Sequence, residues 1–228
     1  MCIRDRDMEA QILEAFILAK DSSTIQLPEG HFLFSQSLSL DAKKHITIKG
    51  MGMDKTILSF KGQTQGAEGI KVTNSENITI EDLAVEDAAG DNIKVSDTDT
   101  LTLRNIRSAW TGEVSTENGA YALYPVLSTQ VLIEGCEAIG SSDAGIYVGQ
   151  SQNVIIRNNK AYYNVAGIES ENYSGHSLRS GFATSAAEAG VEERNIMKMT
   201  GHKSTQMVRR YIKEANLFKN NALNKIKL

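Results

Sequence analysis

The chain has 228 residues, enough to bury a sizeable core in one large or two small domains. Aromatic residues make up only 6%, while 18 glycines punctuate many short Ile, Val and Leu runs, which favours a repetitive β scaffold over a compact aromatic core. The formal charge of −4 hides a division: residues 1–170 hold 14 Lys and Arg against 23 Asp and Glu, whereas residues 171–228 hold 10 against 5, so an acidic body joins a basic tail.

Two cysteines, Cys2 and Cys136, lie in unrelated contexts and point to neither a disulfide framework nor a cysteine metal site. Cys136 reads as a small buried hydrophobe, and no metal and no cofactor are expected. No run approaches the roughly 18 apolar residues of a membrane span. Residues 1–6, Met-Cys-Ile-Arg-Asp-Arg, lack the apolar stretch of a signal peptide and resemble translated adapter sequence, so they are expected to be a non-native leader. As written the chain is expected in the cytoplasm, although a different upstream start carrying an export signal is compatible with such a leader.

From Met8 to Lys20 the apolar residues Met8, Ile12, Leu13, Phe16 and Ile17 follow helical spacing, which predicts an amphipathic helix within residues 7–22. Its expected role is to cap the first coil of a stack, covering its apolar cross-section and strand edges. From residue 23 to 169 the sequence repeats. Ile146 and Val154 shifted back by 23 residues fall on Leu123 and Val131; a shift of 30 then reaches Ile93 and Leu101, and one more of 23 reaches Ile70 and Ile78.

Each repeat carries pairs of apolar residues bracketing one residue, so both members of a pair face one side of a strand. One series is Ile46/Ile48, Ile78/Ile80, Leu101/Leu103, Val131/Ile133 and Val154/Ile156; another is Ile70/Val72, Ile93/Val95, Leu123/Pro125 and Ile146/Val148, ending at Ile168. A weaker third includes Leu83/Val85 and Cys136/Ala138. Three short strands per coil of 22 to 23 residues predict a parallel β-helix. Asp82, Asn105, Gly135 and Asn158 occupy equivalent corners, where left-handed backbone angles are expected.

On these features, and on phrases such as GMGMDKTILSF (50–60) and SDAGIYVGQSQNVIIRNN (142–159), residues 8–169 resemble the right-handed parallel β-helix proteins of bacteria, the superfamily of pectate lyases and polysaccharide epimerases. The resemblance implies fold more than activity. The residues between the inward pairs, Lys71, Lys94, Tyr124, Tyr147 and Glu169, are expected to form an outward stripe. Stacked tyrosines beside lysines suit a sugar polymer, with pyranose faces on the rings and lysines on uronate carboxylates, so an acidic polysaccharide is the expected partner of this face. An ordinary solvated sheet face is the competing reading.

The seven extra residues of the 30-residue coil fall in 109–121, AWTGEVSTENGAY, and a loop there is expected to project beside the stripe and to bring Trp110 to it. Asp91, Glu113, Glu117 and Asp143 are candidate acid or base groups for lyase or epimerase chemistry. The aspartate cluster of calcium-assisted pectate cleavage is not evident.

Residues 170–228 read as a small all-α fragment, with helices expected over 177–189, 192–199 and from Ser204 through Tyr211. GHSLRSGFATSAAEAG (175–190) followed by TGHKSTQMVRRYI (200–212) closely resembles the C-terminal part of tyrosine recombinases, the phage-integrase family. That resemblance implies a His-x-x-Arg pair at His176 and Arg179, a second histidine at His202 and a nucleophile at Tyr211. It implies attack by the tyrosine hydroxyl on a DNA phosphodiester, giving a 3′-phosphotyrosyl link, with Arg179 gripping nonbridging oxygens and the histidines serving proton transfer. Lys198, Lys203, Arg209 and Arg210 are expected to hold DNA phosphates. The family's upstream arginine and β-hairpin lysine have no counterpart, so at most traces of cleavage are expected.

The overall expectation is a mainly β chain, a right-handed parallel β-helix with an N-terminal capping helix, joined near 169–173 to a recombinase fragment. The join itself is expected to be an assembly or gene-calling artefact. The one specific catalytic signature is that of DNA breakage and rejoining; carbohydrate binding or processing, and a structural solenoid without activity, are the alternatives.

Overall fold

A computed structural model describes residues 3–170 together with residues 192, 194 and 195. The chain divides after Glu171, and the account below concerns the first unit by itself. In chain order it contains α1 (Ile3–Ile17), β1 (Thr24–Gln26), β2 (Gly30–Leu33), β3 (Gln36–Asp41), β4 (Lys44–Lys49), β5 (Thr56–Ser59), β6 (Gln65–Thr73), β7 (Glu76–Glu86) and β8 (Ile93–Ser96). These are followed by β9 (Asp99–Ala109), β10 (Leu123–Val126), β11 (Thr129–Glu134), β12 (Glu137–Ile139), β13 (Ala144–Val148), β14 (Gln152–Arg157), β15 (Lys160–Tyr162) and β16 (Ala166–Ser170).

Every strand pairing is parallel and joins equivalent positions of successive coils. A ten-stranded sheet has β1-β4-β7-β9-β11-β14 as its spine, and a six-stranded sheet runs β3-β6-β8-β10-β13-β16. The partners Thr24↔Thr47, Thr47↔Thr79, Thr79↔Thr102, Thr102↔Leu132 and Leu132↔Ile155 fix the coil lengths. Two coils are long. One is the 30-residue coil evident in the repeat, and the other is a 32-residue coil between Ile46 and Ile78 whose extra residues are divided between the β4–β5 and β5–β6 connections.

The inward pairs form the core. Ile46, Ile48, Ile70, Val72, Ile78, Ile80, Ile93, Val95, Leu101, Leu103, Leu123, Val131, Ile133, Ile146 and Val148 are all buried, whereas Val154, Ile156 and Ile168 in the last coil are only partly so. Helix α1 seats Ile12 and Phe16 on the first coil, and Glu9 accepts from the Ser35 backbone N–H (2.7 Å) and hydroxyl (2.8 Å). The helix therefore caps as expected but along a narrower stripe. Ile12, Phe16 and, just past its end, Ala19 face the core, while Ile17 lies about 100° further round and is 71% exposed.

The corners expected from the repeat adopt left-handed angles, with φ of 58° at Asp82, 50° at Asn105, 66° at Gly135 and 58° at Asn158. At Asp82 and Asn105 the bend does not interrupt pairing, so β7 and β9 each run through two of the expected three strands. Asn105 Nδ2 donates to Asp82 Oδ1 at 3.0 Å, and a Cβ at Gly135 would come within 2.7 Å of the Asn105 side-chain oxygen, which explains the glycine in that column. Two further left-handed columns exist: Ala42, Asn74, Asp97, Leu127 and Gln150, and His45, Asn77, Thr100, Gln130 and Asn153.

On the outer face of the larger sheet, the in-register column Lys49, Glu81, Arg104, Glu134 and Arg157 alternates in sign. Its ion pairs measure 2.7, 3.5, 3.7 and 2.9 Å along the stack. Each pair, half-exposed, contributes little alone, but a like-charge neighbour at 4.8 Å spacing would repel.

An ordinary residue held left-handed costs about 1–2 kcal/mol, which asparagine largely escapes. Leu127, at φ 51° and 54% exposed, is such a residue. Leu127→Asn is expected to stabilise the chain by up to about 1 kcal/mol, read as a higher denaturation midpoint; a lower midpoint would contradict the geometry.

Candidate functional site

The smaller sheet presents the expected outward stripe. Lys71 pairs in register with Lys94, Lys94 with Tyr124 and Tyr147 with Glu169, while the Leu123↔Ile146 pairing sets Tyr124 beside Tyr147. Strand periodicity does this: Lys71, Lys94, Tyr124 and Tyr147 each sit between two buried residues and so must face outward, and Glu169 continues their register. A second column runs along the strand entrances, through Glu68, Asp91 and Tyr121, with Asp143 following. Backbone bonds from Gly69 N to Asp91 O (3.0 Å), Asn92 N to Tyr121 O (3.2 Å) and Asp143 N to Ala120 O (3.2 Å) hold it in line.

The two columns meet in a cluster of three tyrosines. The Tyr121 ring stacks on Tyr147 with centroids 4.7 Å apart and an interplanar angle of 16°, and lies 4.7 Å from Tyr124; Tyr124 and Tyr147 are 5.4 Å apart. Lys94 Nζ stands 5.1 Å from the Tyr124 ring centre, within cation–π range. Lys71 and Lys94 both reach Glu68 at 3.8 Å, and Lys94 also reaches Asp91 at 3.9 Å. Asp91 in turn accepts from the Tyr121 backbone N–H at 3.1 Å. All of these side chains are half-buried, so the cluster is a shelf set into the surface rather than a pit.

Burial, then the neighbouring Asp143 carboxylate that accepts its hydroxyl, pushes the Tyr121 phenol up to about 12. Tyr121 therefore stays protonated at neutral pH and is no proton acceptor there. Burial likewise pushes the Cys136 thiol up to about 11, consistent with its expected role as a packed hydrophobe and with no nucleophilic use. Among the described residues no group of three or more His, Cys, Asp or Glu stands close enough to hold a metal ion.

Lys71, Lys94, Tyr124, Tyr147 and Glu169 thus come together as the spacing predicts. Trp110 does not join them. It is 7% exposed and belongs to the core, its indole N–H donating to the Ala88 carbonyl at 3.0 Å. The inserted segment folds back over it: a Cβ on Gly119 would overlap the Gly90 carbonyl oxygen and the Trp110 ring, and Asn118 Nδ2 donates to Gly140 O at 2.7 Å. A buried indole needs a hydrogen-bond partner, and the coil edge supplies one. Glu113 and Glu117 are exposed in that segment, while Asp91 and Asp143 lie against the tyrosines. Tyr121 is the residue that the periodicity missed; its offset of 30 from Asp91 places it in the entrance column. His176, Arg179, Lys198, His202, Lys203, Arg209, Arg210 and Tyr211 lie outside the described residues, as do the helices expected around them apart from residues 192, 194 and 195 of the second, of which Arg194 and Asn195 are helical.

Burial, more than any partner, holds the Asp91 carboxyl above its ordinary value. Its charged form is less favoured in the folded chain than in the unfolded one, so ionisation costs stability above the folded pKa and nothing below the unfolded one. Asp91→Asn, which keeps an acceptor for Tyr121 N–H, is expected to raise the melting temperature at pH 7 to 8, with the gain shrinking towards about pH 4. An equal gain at both ends of that range would contradict the burial account.

Comparison with known proteins gives two kinds of match. An integrase/recombinase xerD homolog from Selenomonas ruminantium is 51% identical over 67 residues, which is 29% of this chain and 20% of that protein, so a recombinase-like segment is present and spans a fifth of its relative. Among solved structures, ORF18 of Geobacillus virus E2 aligns with a TM-score of 0.53 at 11% identity, covering 71% of this chain and 37% of that one, which shows a shared fold alone. A pectin methylesterase from Yersinia enterocolitica aligns over 69% of this chain and 59% of its own at 17% identity, with a TM-score of 0.44 that bears no functional argument. The family described as "Right handed beta helix region" matches residues 44–193. With every described coil paired in parallel to the next, the chain belongs to this right-handed β-helix family.

Proposed function

We propose that the β-helix, residues 23–169 behind the cap at 7–22, binds a carbohydrate polymer along the outward stripe of its smaller sheet. The tyrosine cluster carries this reading. Three rings within 5.4 Å of one another form an aromatic surface of the kind on which the apolar face of a pyranose packs. Tyr121, Tyr124 and Tyr147 pack on one another, so binding orders little in these rings that is not already ordered. The reading is of binding, which the ring geometry supports; lyase or epimerase turnover would also require a proton acceptor positioned at the sugar.

The test is affinity electrophoresis or calorimetry against a panel of oligosaccharides. Tyr124→Ala/Tyr147→Ala is expected to weaken binding at least about ten-fold, or about 1.4 kcal/mol, while Thr79→Ala/Thr102→Ala on the other sheet leaves it unchanged. Unaltered binding by the tyrosine pair would remove this face from the reading.

A second reading is favoured by the 51% identity to the recombinase homolog. In it residues 170–228 are a helical recombinase fragment of separate descent from the β-helix. Lys198, Lys203, Arg209 and Arg210 contact DNA phosphates, and Tyr211 with His176, Arg179 and His202 forms part of a strand-cleaving set. Because the upstream arginine and lysine have no counterpart, transition-state charge goes largely uncompensated and cleavage is at most a trace. A nicked suicide duplex should trap only a small covalent fraction, abolished in Tyr211→Phe; equal trapping by both proteins would take the nucleophile role from Tyr211.

A further inference from the structure

We infer that the polymer taken by the tyrosine face is uncharged, an extended chain of neutral pyranoses, and that the face discriminates against polyuronates. This rests on the carbohydrate reading above and concerns the charge of the ligand. The two lysines that would recognise a uronate carboxylate are already engaged: Lys71 and Lys94 both point at Glu68, and Lys94 also at Asp91 and over the Tyr124 ring. The carboxylates are engaged as well, since Glu68 serves both lysines, Asp91 accepts from the Tyr121 backbone and Asp143 accepts the Tyr121 hydroxyl. The charge of both lysines is thus compensated inside the cluster, and what is offered to a ligand is chiefly ring surface.

The balance that remains repels anions. Two lysines stand among four carboxylates, Glu68, Asp91, Asp143 and Glu169, and the loss of one charge by protonation of Asp91 would still leave the face negative. The body around it is also acidic, with nine more carboxylates than cations through residue 170. A uronate chain would have to pull Lys71 and Lys94 off Glu68 and approach in an unfavourable field, whereas a neutral chain pays neither cost.

The test uses the full chain and three hexasaccharides: cellohexaose, hexagalacturonate and hexaglucosamine. Cellohexaose is expected to bind at least ten-fold more tightly than hexagalacturonate, with an affinity that changes less than two-fold between 50 and 300 mM salt. Glu68→Gln/Asp91→Asn, which releases both lysines, is expected to gain at least ten-fold for hexagalacturonate. Tighter binding by the unaltered protein of hexagalacturonate than of cellohexaose, or of hexaglucosamine than of cellohexaose at 300 mM salt, where the attraction of the negative face for a cation is screened, would overturn the inference while leaving an aromatic carbohydrate face in place. Failure of all three to bind would sink the carbohydrate reading itself. Because selectivity and salt dependence are read on the unaltered protein, a double variant that failed to fold would not rescue the inference.

Discussion

The constraint on which the rest depends is parallel, in-register pairing of each strand with its equivalent one coil later. It turns every position of the coil into a column whose members sit about 4.8 Å apart. Inward columns must be apolar and of similar size, and Ile46, Ile78, Leu101 and Val131 obey this in one sheet as Ile70, Ile93, Leu123 and Ile146 do in the other. Corner columns must share a left-handed angle because a coil that turned differently would break the pairing of both neighbours.

Outward columns face the same constraint with different solutions. On the larger sheet, Lys49, Glu81, Arg104, Glu134 and Arg157 alternate in sign, so neighbours attract and little unpaired charge is left for a partner. On the smaller sheet two lysines are adjacent, which would repel, and Glu68 from the entrance column bridges them. One coil further the column becomes aromatic. That change of chemistry within one column, from paired ions to stacked rings, is why we propose the smaller sheet as the binding face.

How much of this could be read from the residues follows from what each column demands. The inward columns require Ile, Val or Leu, so the periodicity exposes them, and with them the outward stripe from Lys71 to Glu169. Corners are legible only where a residue that favours left-handed angles happens to fill them. The column through Ala42 and Leu127 and the column through Thr100 and Gln130 contain residues that carry no such signal, and pairing imposes the angle on them. Trp110 misleads because an inserted segment looks like a projecting loop, while its actual role depends on glycine-scale clearance at Gly119 and on the Ala88 carbonyl, neither visible in the spacing. Tyr121 lies outside any strand and joins the site only through the length of that insertion. The recombinase-like tail is legible by motif alone, through the spacing of His176, Arg179, His202 and Tyr211.

The central claim is that a ligand lies on the smaller sheet across successive coils. Hydrogen–deuterium exchange with and without saturating cellohexaose addresses it most directly. The account predicts slowed exchange in β8, β10 and β13 and in the segment around Tyr121, with β7, β9 and β11 unchanged over residues 76–81, 99–104 and 129–134. Protection confined to those larger-sheet segments, or absent from β10 and β13, would contradict it.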